Sequence, residues 1–168
     1  SQFVKEYIDK TFGISSIVIP PSIKLLSAKN DQKENIILTV GRFTRAMNEK
    51  KQLFQIKAFK KLIDSGIKGW KFILIGSHLP KDGNFIDELK KEIGTYPIEI
   101  LPNVSQETLI QYYQKAKIYW HAAGFGEDLS IYPERAEHFG ITTVEAMSTG
   151  AVPVVFNEGR TFFFRKIK

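Results

Sequence analysis

Cysteine is absent from the 168 residues, which excludes disulfides, thiolate zinc sites and cysteine nucleophiles and agrees with a reducing compartment. Histidine is scarce. His78, His121 and His138 are scattered, with neither the H-x3-H nor the H-E-x-x-H spacing, so no metal site is expected. No G-x-G-x-x-G fingerprint or Walker sequence occurs, which argues against NAD and ATP. No apolar run approaches the ~20 residues of a membrane-spanning helix, and the opening residues do not read as a signal peptide. With 43% hydrophobic and 25% charged residues, the chain falls among ordinary soluble domains, and its length is that of one domain. The net charge of +6 suits anionic partners such as nucleotide diphosphates or acidic membrane surfaces. The lysines are spread through amphipathic segments, so nucleic acid is not expected.

Hydrophobic periodicity orders the chain. Ser1–Phe12 reads as a helix with Ser1 as cap, an apolar stripe of Phe3, Val4, Tyr7, Ile8 and Phe12, and Gly13 as its end. Ile17–Pro21 reads as a short strand stopped by prolines, and the polar run 27–35 as a loop. Asn35–Gly41 and Lys71–Gly76 are continuous apolar runs ending in glycine, the kind buried on both faces of a parallel sheet. Arg42–Asn48 is a basic loop, and Lys50–Ser65 an amphipathic helix with Leu53, Ile56, Phe59, Leu62 and Ile63 inward. Phe85–Ile93 is helical, Ile98–Leu101 a strand, Ser105–Lys115 a capped helix and Ala116–His121 a strand. The stretch from Ala122 to Ala136 is irregular; loops of this length in compact domains usually serve function. Ala151–Phe156 is the last strand.

Six short apolar runs alternate with four or five helices, the pattern of a parallel, doubly wound sheet. Such sheets bind ligands beyond the carboxyl ends of their strands. Gly41-Arg42, Gly76, Asn103, His121 and the Phe139-Gly140 turn all follow strands or open helices, so they converge on that edge.

The densest signal is Glu137-His-Phe-Gly-Ile-Thr-Thr-Val-Glu145-Ala-Met-Ser-Thr-Gly150. Gly140 allows backbone geometry denied to other residues, and Thr142 or Thr143 can cap a helix closed by Gly150. A helix N-terminus preceded by glycine presents free N–H groups and a dipole to an anion. On one continuous helix the two carboxylates would lie roughly 12 Å apart. That is too far for a retaining glycosidase pair, which needs about 5 Å. With Glu137 in the preceding loop and Glu145 in the first turn, one carboxylate serves each end of a diphosphate ligand with hydroxyls at both ends, the layout of a nucleotide sugar. Alternatively, Thr142-Thr-Val-Glu145 is a capping box in which Glu145 bonds the Thr142 N–H.

This segment resembles the E-x7-E signature of retaining GT-B glycosyltransferases of family 4. Glu137, Phe139-Gly140-Ile141, Glu145-Ala146-Met147, Gly150 and Pro153-Val154 stand where that family has them. The run from Trp120-His-Ala-Ala-Gly-Phe-Gly-Glu127 to Gly140 resembles a subgroup that includes lipid-linked oligosaccharide mannosyltransferases. The likeness implies an α/β fold, a Rossmann-like doubly wound parallel sheet forming the C-terminal domain of a GT-B fold, truncated at its C-terminus. It divides the chain into an N-terminal-domain segment (1–15), the donor-binding domain (16–159) and an atypical tail (160–168).

The same resemblance implies roles. Arg42 and Lys50, after Gly41, would hold the donor's phosphates, with Lys51 or Arg45 as alternatives because the loop is about three residues longer than the commoner form. The Ile141–Thr143 amides would complete the clamp beside Phe139-Gly140. Glu145 would bind the ribose hydroxyls, Glu137 would be the catalytic carboxylate at the donor sugar, and backbone near Asn103-Val104 would face the base. The nucleotide sugar is the substrate; no separate cofactor and no metal is expected. The acceptor-binding domain is expected to lie outside this chain, which alone should bind donor and turn over little. His121 is expected to be a satisfied structural residue, whereas His138, inside the motif, could touch the sugar. The cytoplasm is the expected location. Three phenylalanines and four basic residues in the segment Arg160–Lys168 suggest peripheral contact with acidic lipid.

Overall fold

Strand β1 (Glu34–Val40) is buried from Ile36 onward because both of its faces are covered. Ile36, Leu38 and Val40 pack on one side, with Tyr113, Tyr119 and Ala146, while Ile37 packs on the other, with Ile56, Phe59 and Phe72. The computed structural model describes residues 2–27, 32–45 and 49–156, apart from the Lys81 side chain. The expected Ser1 cap, part of the Arg42–Asn48 loop and the 160–168 tail lie outside these residues.

Beside β1 run β2 (Lys71–Gly76), β3 (Ile98–Pro102), β4 (Ala116–His121) and β5 (Val152–Val155). The order is β3-β2-β1-β4-β5 and every pairing is parallel. Helices α2 (Gln52–Asp64) and α3 (Phe85–Ile93) cover the face bearing Phe72 and Leu74. Helices α4 (Gln106–Lys115) and α5 (Ile141–Ser148) cover the face bearing Ile73 and Ile75. The three-layer, doubly wound α/β architecture follows from this alternation: each strand has two apolar faces, so each face recruits its own helices. Burying a Leu38 or Phe72 side chain completely contributes about 1.5–3 kcal/mol.

The chain leaves β1 toward β2 on one side and β4 toward β5 on the other, so the loops after β1 and β4 part and open a crevice. Close approach sets the floor of that edge. The Gly41 N–H donates to the Ile75 carbonyl at 2.9 Å, and a Cβ on Gly76 would lie 1.9 Å from the Gly41 oxygen.

The expected strand at Ile17–Pro21 does not form: residues 14–27 adopt no regular secondary structure. Pro20 and Pro21 have no N–H to give a ladder, and Ile17 and Ile19, 86% and 84% exposed, bury no face. The sheet therefore has five strands among the described residues. The first helix, α1 (Gln2–Phe12), matches its expected span but buries none of its residues. Its apolar stripe does not enter the core.

Candidate functional site

Glu137 sits where the parted loops meet. Its Oε2 lies 2.9 Å from Lys50 Nζ, just ahead of α2, and 2.8 Å from His121 Nε2, at the end of β4. Its Oε1 accepts the N–H groups of Gly140 at 3.0 Å and Phe139 at 3.3 Å, which folds the turn back over the carboxylate. The Glu137 and Lys50 side chains are 13% and 19% exposed, so the pair is largely but not wholly withdrawn from water. Burial by itself raises the Glu137 carboxyl. The close contact with His121 and the Lys50 charge outweigh it and hold the group well below the ordinary carboxylate range. Glu137 is therefore an ionised acceptor rather than a proton donor.

Local backbone explains how Lys50 reaches it. Lys51, the residue ahead of α2, is left-handed at φ 58°, an unusual conformation for a side-chain-bearing residue. The turn sends the two lysines to different carboxylates. Lys51 pairs with Glu127 in the 122–136 loop and lies 3.9 Å from Glu49. Arg135 holds the other Glu127 oxygen at 2.6 Å, so one carboxylate ties both parts of that loop to the start of α2. The hydrogen bond from Lys51, then that from Arg135, hold Glu127 below its usual range. Arg45 turns away, pairing with Glu88 and lying over the Phe85 ring. All three cations are thus paired, Lys50 with Glu137, Lys51 with Glu127 and Arg45 with Glu88. Arg42 has an exposed side chain, and its carbonyl accepts from Gln52 Nε2 at 2.9 Å.

Helix α5 starts differently from the sequence expectation. Its cap position is Gly140, left-handed at φ 81°, and neither Thr142 nor Thr143 caps it. The Thr142 hydroxyl accepts from Tyr119 at 2.7 Å, whereas Thr143 is buried in the fold. The Thr143 N–H, expected in the amide clamp, donates to the Gly140 carbonyl at 2.9 Å. Glu145 is the fifth helical residue, in the second turn rather than the first. Its carboxylate accepts from Tyr113 Oη at 2.9 Å, so the capping box does not form.

At the far side of the edge, Asn103 is left-handed at φ 54° and its N–H donates to the Gly76 carbonyl at 2.9 Å. Its side chain accepts from the His78 N–H at 2.9 Å and donates to the His78 carbonyl at 3.0 Å, clamping the loop after β2. Val104 packs against the α4–α5 core. His138 faces the Pro133 carbonyl at 3.4 Å and the Phe3 ring, not Glu137. His121, expected to be structural, is in direct contact with Glu137. The only sequence signal for this was its place at a strand end. Among the described residues no cluster of His, Asp and Glu could hold a metal ion, and no helix is long and apolar enough to cross a membrane.

A doubly wound parallel sheet with a charged cluster at its topological switch point defines the open α/β class, whose ligand sites lie at that edge. More particularly, residues 22–161 match the family described as Glycosyl transferases group 1, and the chain belongs to that family. It is 30% identical over 134 residues to the GDP-Man:Man(3)GlcNAc(2)-PP-Dol alpha-1,2-mannosyltransferase of Mus musculus, covering 74% of this chain and 24% of that protein. The protein of the same name from Xenopus laevis is 30% identical over 159 residues, 86% of this chain and 30% of that one. The chain thus spans less than a third of the length of these relatives. The sucrose-phosphate synthase of Thermosynechococcus elongatus shares the GT-B-type fold, with a TM-score of 0.63 at 18% identity, over 92% of this chain and 39% of that one.

Proposed function

We propose that this chain is the donor-binding half of a glycosyltransferase that takes a sugar from a nucleoside diphosphate and transfers it with retention. The observation that carries the reading is the Lys50–Glu137–His121 cluster beside the N-terminus of α5. Cleaving a sugar–phosphate bond leaves negative charge on the diphosphate and positive charge on the sugar carbon. Arg42, Lys50 and the Ile141 and Thr142 amides would steady the first, so no metal is required. Glu137, held ionised, would accept hydrogen bonds from the sugar and face the second; Glu145 would take the ribose hydroxyls. Gly41, Phe139 and Gly140 would let the ligand approach backbone closely, with Asn103 and Val104 toward the base. The relatives' names make GDP-mannose the first donor to try, and an acceptor lipid-linked at a membrane surface the first partner. A cytoplasmic, membrane-peripheral location goes with that reading.

Calorimetric titration with GDP, UDP, ADP and their sugars tests it, repeated with Arg42→Ala, Glu145→Gln and added EDTA. One base should be selected, and each substitution should weaken binding roughly ten- to a hundredfold, the worth of a charge-assisted hydrogen bond. EDTA should change nothing. No binding by the folded chain, or binding indifferent to both substitutions, would refute the donor site.

A further inference from the structure

Tyr113 is fully buried on α4, yet its hydroxyl emerges against α5 and donates to Glu145 Oε2 at 2.9 Å. A second buried tyrosine stands beside it: Tyr119, on β4, at a ring-centroid distance of 6.3 Å. The Tyr119 hydroxyl donates to Thr142 Oγ1 at 2.7 Å and lies 3.3 Å from the Val40 carbonyl. Two rigid rings therefore fasten α5 at two successive turns. A helical side chain leans toward its own N-terminus, so the Glu145 carboxylate projects toward the cleft end of α5. Left alone it would sample several rotamers. With Oε2 engaged, Oε1 keeps one direction, and no described residue donates to it.

We propose that Tyr113 is a positioning residue that aims Glu145 at vicinal hydroxyls of the bound nucleotide, so that discrimination of ribose from deoxyribose depends on a side chain that never touches the ligand. The inference rests on the reading that Glu145 takes the ribose hydroxyls. Burial raises the Tyr113 phenol far above neutral pH, so it remains a donor throughout the working range. Preorganising one rotamer-rich side chain corresponds to about a 2- to 10-fold effect.

The test titrates GDP and UDP, and their 2′,3′-dideoxy forms, into the wild type, Tyr113→Phe, Glu145→Gln and the double variant. The expected result is a ribose preference in the wild type that Glu145→Gln abolishes and Tyr113→Phe lowers about 2- to 10-fold. In the double variant Tyr113→Phe should add nothing, because it acts through Glu145. If Glu145→Gln leaves the preference intact, the reading of Glu145 fails and the inference with it. If Glu145→Gln abolishes it but Tyr113→Phe weakens ribo and dideoxy ligands equally, Glu145 stands and the positioning role is overturned. No binding of either diphosphate by the folded wild type overturns both. Should Tyr113→Phe fail to fold, 4-fluorophenylalanine in place of Tyr113, which fills the hydroxyl's space without a proton to donate, carries the same comparison.

Discussion

At the scale of residues, the behaviour of Glu137 follows from its neighbours more than from its burial. Desolvation favours the protonated acid, but the neighbouring His121 and Lys50 side chains favour the carboxylate, and they win. A folded-state value below the unfolded one, ordinarily about 4.5, gives a stability contribution fully present above that pH. It is lost as pH falls through the depressed folded value. Wild type should therefore lose stability progressively from about pH 5 downward. Glu137→Gln should flatten that acid limb and cost roughly 2–3 kcal/mol at pH 7, where Lys50 and His121 would face an amide. Urea unfolding of both proteins at pH 7, 5 and 3 measures the difference; parallel acid limbs would mean that the carboxylate is not held ionised. The E-x7-E spacing marked Glu137 from the sequence, but nothing in one dimension placed His121 against it. That contact joins positions sixteen apart through a loop with no periodicity to read.

At the scale of elements, the site depends on how strands end. Gly76 closes β2 so near β1 that its missing Cβ is the space the Gly41 carbonyl occupies. Gly76→Ala should force these loops apart and destabilise by about 1–3 kcal/mol, as overpacking does. It should also weaken nucleotide binding, because Gly41 leads directly into Arg42. Thermal unfolding with a parallel titration checks this; an unshifted melting temperature would show that the two loops yield freely. Strand and helix spans were largely legible, because buried runs and amphipathic stripes are local signals. The start of α4 was too, since Ser105 caps it as expected, but the starts of α2 and α5 were not. Lys51 and Gly140 lead into α2 and α5 in left-handed backbone without side-chain caps. The threonines after Gly140 have the composition of caps, but the Thr142 hydroxyl meets Tyr119 and the Thr143 hydroxyl is buried without capping the helix. The Ile17–Pro21 run has strand composition, but its prolines have no N–H for a ladder and its isoleucines bury no face.

At the scale of the whole molecule, β1 is the shared wall of both apolar layers. Leu38, completely buried at its centre, should cost about 2–5 kcal/mol on truncation to Ala. Both layers should melt together, so far-ultraviolet circular dichroism and tryptophan fluorescence should give one coincident transition; two separated transitions would mean that the layers fold independently. The order of elements, the buried parallel strands, the placement of candidate residues after strands and the family motif were determined by the sequence itself, because each is written in residues close along the chain. The tertiary structure alone decided which lysine faces Glu137, that His121 joins it, that Arg45 leaves for Glu88 and that Tyr113 holds Glu145. Each of these contacts spans 16 to 87 positions. Contacts at such separations depend on strand order and on the turn preceding each helix, and only the assembled sheet sets those.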